Sequence, residues 1–182
     1  MPDPGDYKTL QILDTPVLAV RGKDGRVRAF LNVCSHRGSI LATQSHGNCS
    51  RFLCPYHAWA FNDRGQLIAV ADSRRFGEID KSERNLKELA CEERAGMIFA
   101  CLTPGRTFNL EQYLGGMLDD LASFGLENWH VHSHTRLESA NWKVTHDGYL
   151  ETYHVPILHA KTLAHLTSNI MVFDSFGPHQ FG

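Results

Sequence analysis

The sequence predicts an α+β chain: a small antiparallel β domain over residues 1–103, then the start of a mixed α/β region over 104–182. Three observations predict it. Short β-rich runs recur before residue 103, separated by turns bearing Gly and Asp. Thr103-Pro104-Gly105 breaks that pattern. Behind the break, apolar residues change from alternation to helical spacing.

The elements follow in order. Val17–Arg21 and Arg26–Val33 flank Gly22-Lys23-Asp24-Gly25, a hairpin signal with suitable turn residues. Residues 37–50, rich in Gly, Ser, Asn and Thr, read as a loop, and Arg51–Leu53 as a short strand. Trp59–Asn62 and Gln66–Val70 bracket a second turn, Asp63-Arg64-Gly65. Residues 71–85 form an exposed connection. Leu86–Glu93 and Met97–Leu102 make a third strand pair around Arg94-Ala95-Gly96. A helix is expected from Asn109, with Gln112 completing a capping box and Leu110, Leu114, Met117, Leu118 and Leu121 on one face, stopping at Gly125. Trp129–Leu137 alternates like a strand, with Trp129, Trp142 and Phe124 expected in the core. Asn141–Tyr153 reads as a helix ended by Pro156. Leu158–Leu166 is expected as a short helix and Ile170–Phe173 as a strand.

Composition excludes several classes. The 182 residues are 42% hydrophobic and 21% charged, with a formal net charge of -2, as in ordinary globular proteins. Lys and Arg are dispersed, so no basic patch invites nucleic acid or an anionic membrane. No apolar run approaches the roughly 20 residues of a membrane-spanning helix. The opening Met-Pro-Asp-Pro-Gly-Asp lacks the segments of a secretory leader, so a cytoplasmic location is expected. The five Cys are odd in number and scattered, which does not describe a disulfide framework.

Two of those Cys carry the chemistry. Cys34-Ser35-His36 is followed, after seventeen residues, by Cys54-Pro55-Tyr56-His57. Each pair sits on a loop at a strand end. Two thiolates and two imidazoles suit zinc or a Rieske [2Fe–2S] centre, whose irons take two Cys and two His. The C-x-H spacing of the first pair is unusual for zinc, and Pro55, Tyr56 and Trp59 are placed to pack over the site. Cys91 and Cys101, in strand-like runs, read as buried thiols, and Cys49 as a loop residue.

Cys34-Ser35-His36-Arg37-Gly38 with Cys54-Pro55-Tyr56-His57-Ala58-Trp59 resembles the Rieske motif of the ring-hydroxylating oxygenases, in their large (alpha) terminal subunit. Respiratory Rieske proteins add a disulfide between the two loops; Ser39 and Tyr56 stand at those positions here. The oxygenases commonly carry Gly where this chain has Ala58, which implies an ordinary backbone conformation at that residue.

A second constellation separates an enzyme from an electron carrier. Asp147, Glu151 and His154 are spaced by four and three, so they are expected on one helix face, with His159 beyond Pro156. Two imidazoles and a carboxylate make the facial triad of non-heme Fe(II) oxygenases. The stretch from Asn141-Trp142-Lys143 to His159 resembles the oxygenase catalytic domain, a helix-grip-like α/β fold. The resemblance implies that His154 and His159 bind a mononuclear Fe(II), that Glu151 links His154 to a Rieske His of a neighbouring subunit, and that Asp147 supports them. The acidic third ligand of the family has no match here. The family's usual opening strand is expected to be missing as well, so the sequence reads as an N-terminal fragment that should not turn over by itself.

The resemblance also implies a ferredoxin and/or flavin reductase as electron donor, O2 and a small, aromatic substrate, and a homotrimer. Hydroxylation or dihydroxylation is the expected outcome. The rival reading is a stand-alone Rieske electron-transfer protein, which would end near Thr103.

Overall fold

The computed structural model describes residues 1–181. The chain is α+β and divides into two compact units, residues 1–110 and the residues from Glu111 on.

The first unit is antiparallel β. Its larger sheet contains β1 (Asp6–Ile12), β2 (Thr15–Arg21), β3 (Val27–Leu31), β4 (His46–Asn48) and, after intervening strands, Glu88–Leu89, in the order β4-β1-β2-β3 and then Glu88–Leu89. The β2–β3 hairpin forms as expected, with Arg21 opposite Val27 and Gly25 at φ 78°. β1 and β4 are strands that the sequence pattern did not reveal. β1 presents mostly exposed residues, so it lacks the apolar alternation that marks a half-buried strand. The three residues of β4, His46-Gly47-Asn48, have little β propensity and form only because β1 offers an edge.

A smaller sheet joins β5 (Arg51–Leu53), β6 (Ala60–Asn62) and β7 (Leu67–Ala69). Side chains from both sheets make one core: Leu18, Val20 and Phe30 meet Phe52, Phe61 and Leu67, with Cys34, Cys54 and Trp59 among them. The opposite face of the large sheet carries Val17, Ala29 and Leu89, so β2 is buried on both faces and reads as a continuous apolar run. Gly65, in the turn between β6 and β7, lies at φ 71° directly against Phe30; a Cβ there would sit 2.5 Å from the ring. After two 3-10 turns, Ser73–Arg75 and Lys81–Arg84, the last strands of the unit are β8 (Glu88–Leu89), β9 (Cys91–Arg94) and β10 (Met97–Ala100). Cys91 and Cys101 are half-buried, and burial pushes the Cys91 thiol up to about 11. Cys49 lies in the loop between β4 and β5, as expected, and packs against the main core.

The second unit is built of short helices. The helix expected to run unbroken to Gly125 is two, α1 (Leu110–Leu114) and α2 (Met117–Ser123). Gly115, at φ 55°, returns its N–H to the Glu111 carbonyl and ends α1 in the left-handed conformation that glycine favours. Gly125, at φ 59°, ends α2 as expected. The expected strand at Trp129–Leu137 does not form; no described strand lies beside it, and an extended segment gains nothing without a partner. Ile170–Phe173 is likewise irregular, and the hairpin that follows uses β11 (Asp174–Phe176) and β12 (His179–Phe181). Trp129 and Trp142 are exposed rather than core residues, and Phe124 is largely so. Leu114 and Val155 are the fully buried hydrophobics among the described residues of this unit, too few to shelter the aromatic side chains. The segment from Asn141 forms α3 (Trp142–Tyr149), then α4 (Val155–Leu158); beyond α4 the residues to Leu166 make turns rather than a helix. No helix among the described residues is long and apolar enough to cross a membrane.

Candidate metal centre

Two loops of the first unit share one backbone design. Leaving β3, Cys34 donates its N–H to the Ser39 carbonyl at 2.8 Å, and Gly38 donates to the Cys34 carbonyl at 3.0 Å. Leaving β5, Cys54 donates to the Trp59 carbonyl at 2.8 Å, and Ala58 donates to the Cys54 carbonyl at 3.0 Å. Closing such a loop requires a left-handed residue at its fifth position. Gly38 supplies it at φ 72°, and Ala58 supplies it at φ 54°. The expectation of an ordinary conformation at Ala58 is therefore overturned: the two hydrogen bonds hold an alanine in a region that costs an L-residue about 1–2 kcal/mol.

This frame brings four predicted side chains together. Cys34 and Cys54 are each 2% exposed and lie in the same core cluster. Burial pushes the Cys34 thiol up; backbone N–H groups of His36 and Arg37 pull the other way, and the Cys54 thiol adds to the rise. The His36 and His57 rings lie 4.7 Å apart between centroids. Burial holds His36 below its ordinary value, with His57, Arg37 and Arg84 acting in the same direction. His36 stacks flat on Trp59, at 4.6 Å and 5°, and Phe76 meets both rings edge-on. Tyr56 lies over His57, centroids 3.8 Å apart. The thiols thus face the core, whereas His57 reaches the exposed surface.

One residue that sequence reasoning passed over braces the first loop. Asn32 is 3% exposed; its side chain donates to the Ala42 carbonyl and accepts from the Ala42 N–H, both at 2.8 Å. An amide inside the apolar run Phe30-Leu31-Asn32-Val33 is the signal that could have found it. Ser35 Oγ adds a bond to the Arg84 carbonyl at 2.5 Å.

The residues present fit a bound group. His36 Nδ1 is buried without a hydrogen-bond partner, a state that costs free energy unless something absent from the protein atoms meets it. Among the described residues no three His, Cys, Asp or Glu are placed around a single ion; the four side chains come instead as a thiol pair and an imidazole pair.

In the second unit, α3 is capped by Asn141, whose side chain accepts from the Lys143 N–H at 3.0 Å. The helix ends at Tyr149, earlier than expected, so Asp147, Glu151 and His154 do not share a helix face. Asp147 stays on α3, exposed, and Glu151 and His154 lie in the turn beyond. Two effects end the helix. Pro156 in a continuous helix would clash with the Thr152 carbonyl, and the Glu151 carboxylate captures the His154 N–H at 3.1 Å. Pro156 opens α4 instead of closing α3, a position where its missing N–H is not needed.

That turn brings His154 and His159, at the two ends of α4, to 5.3 Å between ring centroids. Glu151 also accepts from His154 Nδ1; this bond, first, holds the Glu151 carboxyl below its usual range. The three line a cleft of about 820 Å³ with Val144, Tyr149 and Leu158.

Comparison with known proteins places both units. Residues 1–89 match the Rieske [2Fe-2S] domain, and residues 126–182 match the ring hydroxylating alpha subunit catalytic domain. The glycine betaine monooxygenase oxygenase subunit of Chromohalobacter salexigens is 34% identical over 90% of this chain and 36% of its own length. The large oxygenase component of the naphthalene 1,2-dioxygenase system of Pseudomonas aeruginosa is 36% identical over 90% of this chain and 38% of its own. Among solved structures, the quaternary ammonium Rieske monooxygenase CntA with an inhibitor superposes with a TM-score of 0.84 at 31% identity, covering 92% of this chain and 47% of that one. Naphthalene 1,2-dioxygenase with indole bound gives 0.71 at 35% identity, covering 92% and 39%. The chain spans less than half the length of each of these relatives. The antiparallel β unit is a Rieske domain, the short helices that follow begin a catalytic domain, and the chain belongs to the alpha subunits of the Rieske ring-hydroxylating oxygenases.

Proposed function

We propose that Cys34, His36, Cys54 and His57 hold a [2Fe–2S] cluster, and that His154 and His159 hold a mononuclear Fe(II), in the oxygenase component of a multicomponent hydroxylating system. The junction between the two domains is set at Thr103-Pro104. The observation that carries the reading is the pair of like-folded loops, which gather two thiols in the core and two imidazoles at its edge. When bound, the cluster supplies one-electron transfer and the mononuclear iron supplies O2 activation for hydroxylation or dihydroxylation.

The chain's own residues prepare both sites. Amide N–H groups of His36 and Arg37 favour thiolate at Cys34. Trp59 and Phe76 pack against the half-buried His36, and Tyr56 lies against His57, which stays exposed. His57, at the exposed end, faces the side from which an electron can enter or leave. Glu151 accepts the Nδ1 proton of His154, which fixes the tautomer and leaves Nε2 as the donor atom for a metal. The remaining lone pairs of that carboxylate suit a second imidazole, the Rieske His of a neighbouring subunit in a trimer. Asp147, separated from this bond, is assigned a supporting role only. Electrons come from a ferredoxin and/or flavin reductase. The substrate is a small organic molecule, an aromatic ring in the first reading. The likeness to quaternary ammonium monooxygenases supports an alkylammonium carbon as the second.

Metal and acid-labile sulfide analysis of the anaerobically purified chain tests the first site. Iron and sulfide in equal amounts are expected once the second site has been stripped by a chelator; zinc without sulfide overturns the assignment. A Cys34→Ala variant is expected to lose the visible cluster absorption, and colour that survives shows the ligand set to be wrong. At the second site, iron is expected to leave during dialysis against a chelator, because two imidazoles without a third described ligand hold it weakly. Stoichiometric retention there would refute this.

A further inference from the structure

We propose that the indole N–H of Trp59 donates a hydrogen bond to a sulfur of the bound iron–sulfur group and raises its reduction potential. This rests on the cluster assignment above.

Among the described residues, the buried side-chain nitrogens and oxygens without a hydrogen-bond partner are His36 Nδ1 and Trp59 Nε1. They belong to two rings stacked 4.6 Å apart at 5°, one from each loop. Trp59 is 3% exposed and lies in the core cluster with Cys34 and Cys54. Two orphaned nitrogens on adjacent rings point to one missing group that meets both. Their chemistries differ, and that difference restricts the group. An imidazole nitrogen can bind a metal or accept a proton. An indole nitrogen can only donate, so a bare cation leaves it unsatisfied. A sulfide or thiolate sulfur is an acceptor, and an iron–sulfur group brings both the metal and the sulfur. Reduction adds negative charge to that group. A donor aimed at its sulfur therefore favours the reduced state.

The test is a mediated redox titration of the holo chain, with dithionite as the one-electron source. Reduction is followed by visible absorption and electron paramagnetic resonance, with iron and sulfide measured on each sample. Trp59→Phe keeps an aromatic ring on His36 and removes the N–H. A fall in potential is expected, with the reduction equilibrium shifting by on the order of tenfold, about 59 mV for one electron. Trp59→Phe with full iron and sulfide and an unshifted potential overturns the proposal and leaves the cluster assignment standing. A parent chain without sulfide sinks the assignment and the proposal together.

A measurement without substitution at Trp59 covers the case of a variant that fails to assemble. Trp129 and Trp142 are both exposed, and replacing them by Phe leaves Trp59 as the one indole in the chain. Labelling that indole with 15N should give a nitrogen coupling in pulsed resonance spectra of the reduced cluster. Absence of the coupling overturns the proposal.

Discussion

Ala58 is strained where its counterpart Gly38 is not, and exchanging the two residue types tests the loop geometry directly. Both positions close the same hydrogen-bonded turn after a Cys, at φ 54° and φ 72°. A Cβ built on Gly38 meets nothing within 4 Å, so Gly38→Ala introduces backbone strain and no clash. The left-handed conformation costs an L-residue about 1–2 kcal/mol. Glycine gives back roughly 0.5–1 kcal/mol of that through its larger entropy loss on folding. The net expectation is about 0.5–1 kcal/mol in each direction: Ala58→Gly stabilises and Gly38→Ala destabilises. For a chain of this size that is a shift in midpoint of roughly 1–4 °C. Scanning calorimetry of the holo chain, with iron and sulfide matched between variants, reads both. A lowered midpoint for Ala58→Gly at unchanged cluster content would refute the argument. It would mean that the methyl group contributes more by packing than the conformation costs.

Three further outcomes follow from the packing and electrostatics of the first unit. Gly65→Ala should be more damaging, by about 2–4 kcal/mol, because it combines left-handed strain with a Cβ 2.5 Å from the Phe30 ring; denaturant titration of the two proteins checks it. Asn32→Ala strands the N–H and carbonyl of Ala42 in a buried site. It should cost about 2–3 kcal/mol and speed bleaching of the cluster, whereas Asn32→Asp should restore the bond to the Ala42 N–H alone. Arg21 holds Glu93 through two bonds, at 2.9 and 2.5 Å, and also reaches the Gly25 and Met1 carbonyls. Its guanidinium keeps the Glu93 carboxyl below its ordinary value, so the ion pair's contribution is present above that value, about 4.3, and fades as pH falls through the lowered one. Arg21→Met should therefore cost about 1–2 kcal/mol near neutrality, with a smaller penalty in acid. An equal penalty at both ends of the range would exclude the ion pair as its cause.

The second unit shows why local pattern carried less there. The period-2 pattern of Trp129–Leu137 and the helical spacing of Asn141–Tyr153 are real features of the sequence. A strand nevertheless needs a neighbour, and a helix needs an apolar face to bury. In a unit whose described residues bury so few side chains, local hydrogen bonds decide instead: Asn141 starts α3, Glu151 captures the His154 N–H, and Pro156 starts α4. The i, i+4 arithmetic that joined Asp147 to Glu151 fails for that reason, while His154 and His159 still meet because a four-residue helix separates them.

By itself the sequence determined the donor set of the candidate first site and the framework of its domain. Donor type and spacing at Cys34, His36, Cys54 and His57 are local, as are the Gly and Asp turns that join β2 to β3 and β6 to β7. Tertiary structure decided what depends on residues distant in sequence. It paired β4 with β1, braced Ala42 with Asn32, laid Trp59 of one loop flat on His36 of the other, and held Ala58 left-handed. These are consequences of closing one core around two loops, and spacing along the chain does not encode which ring or backbone will be pressed against which.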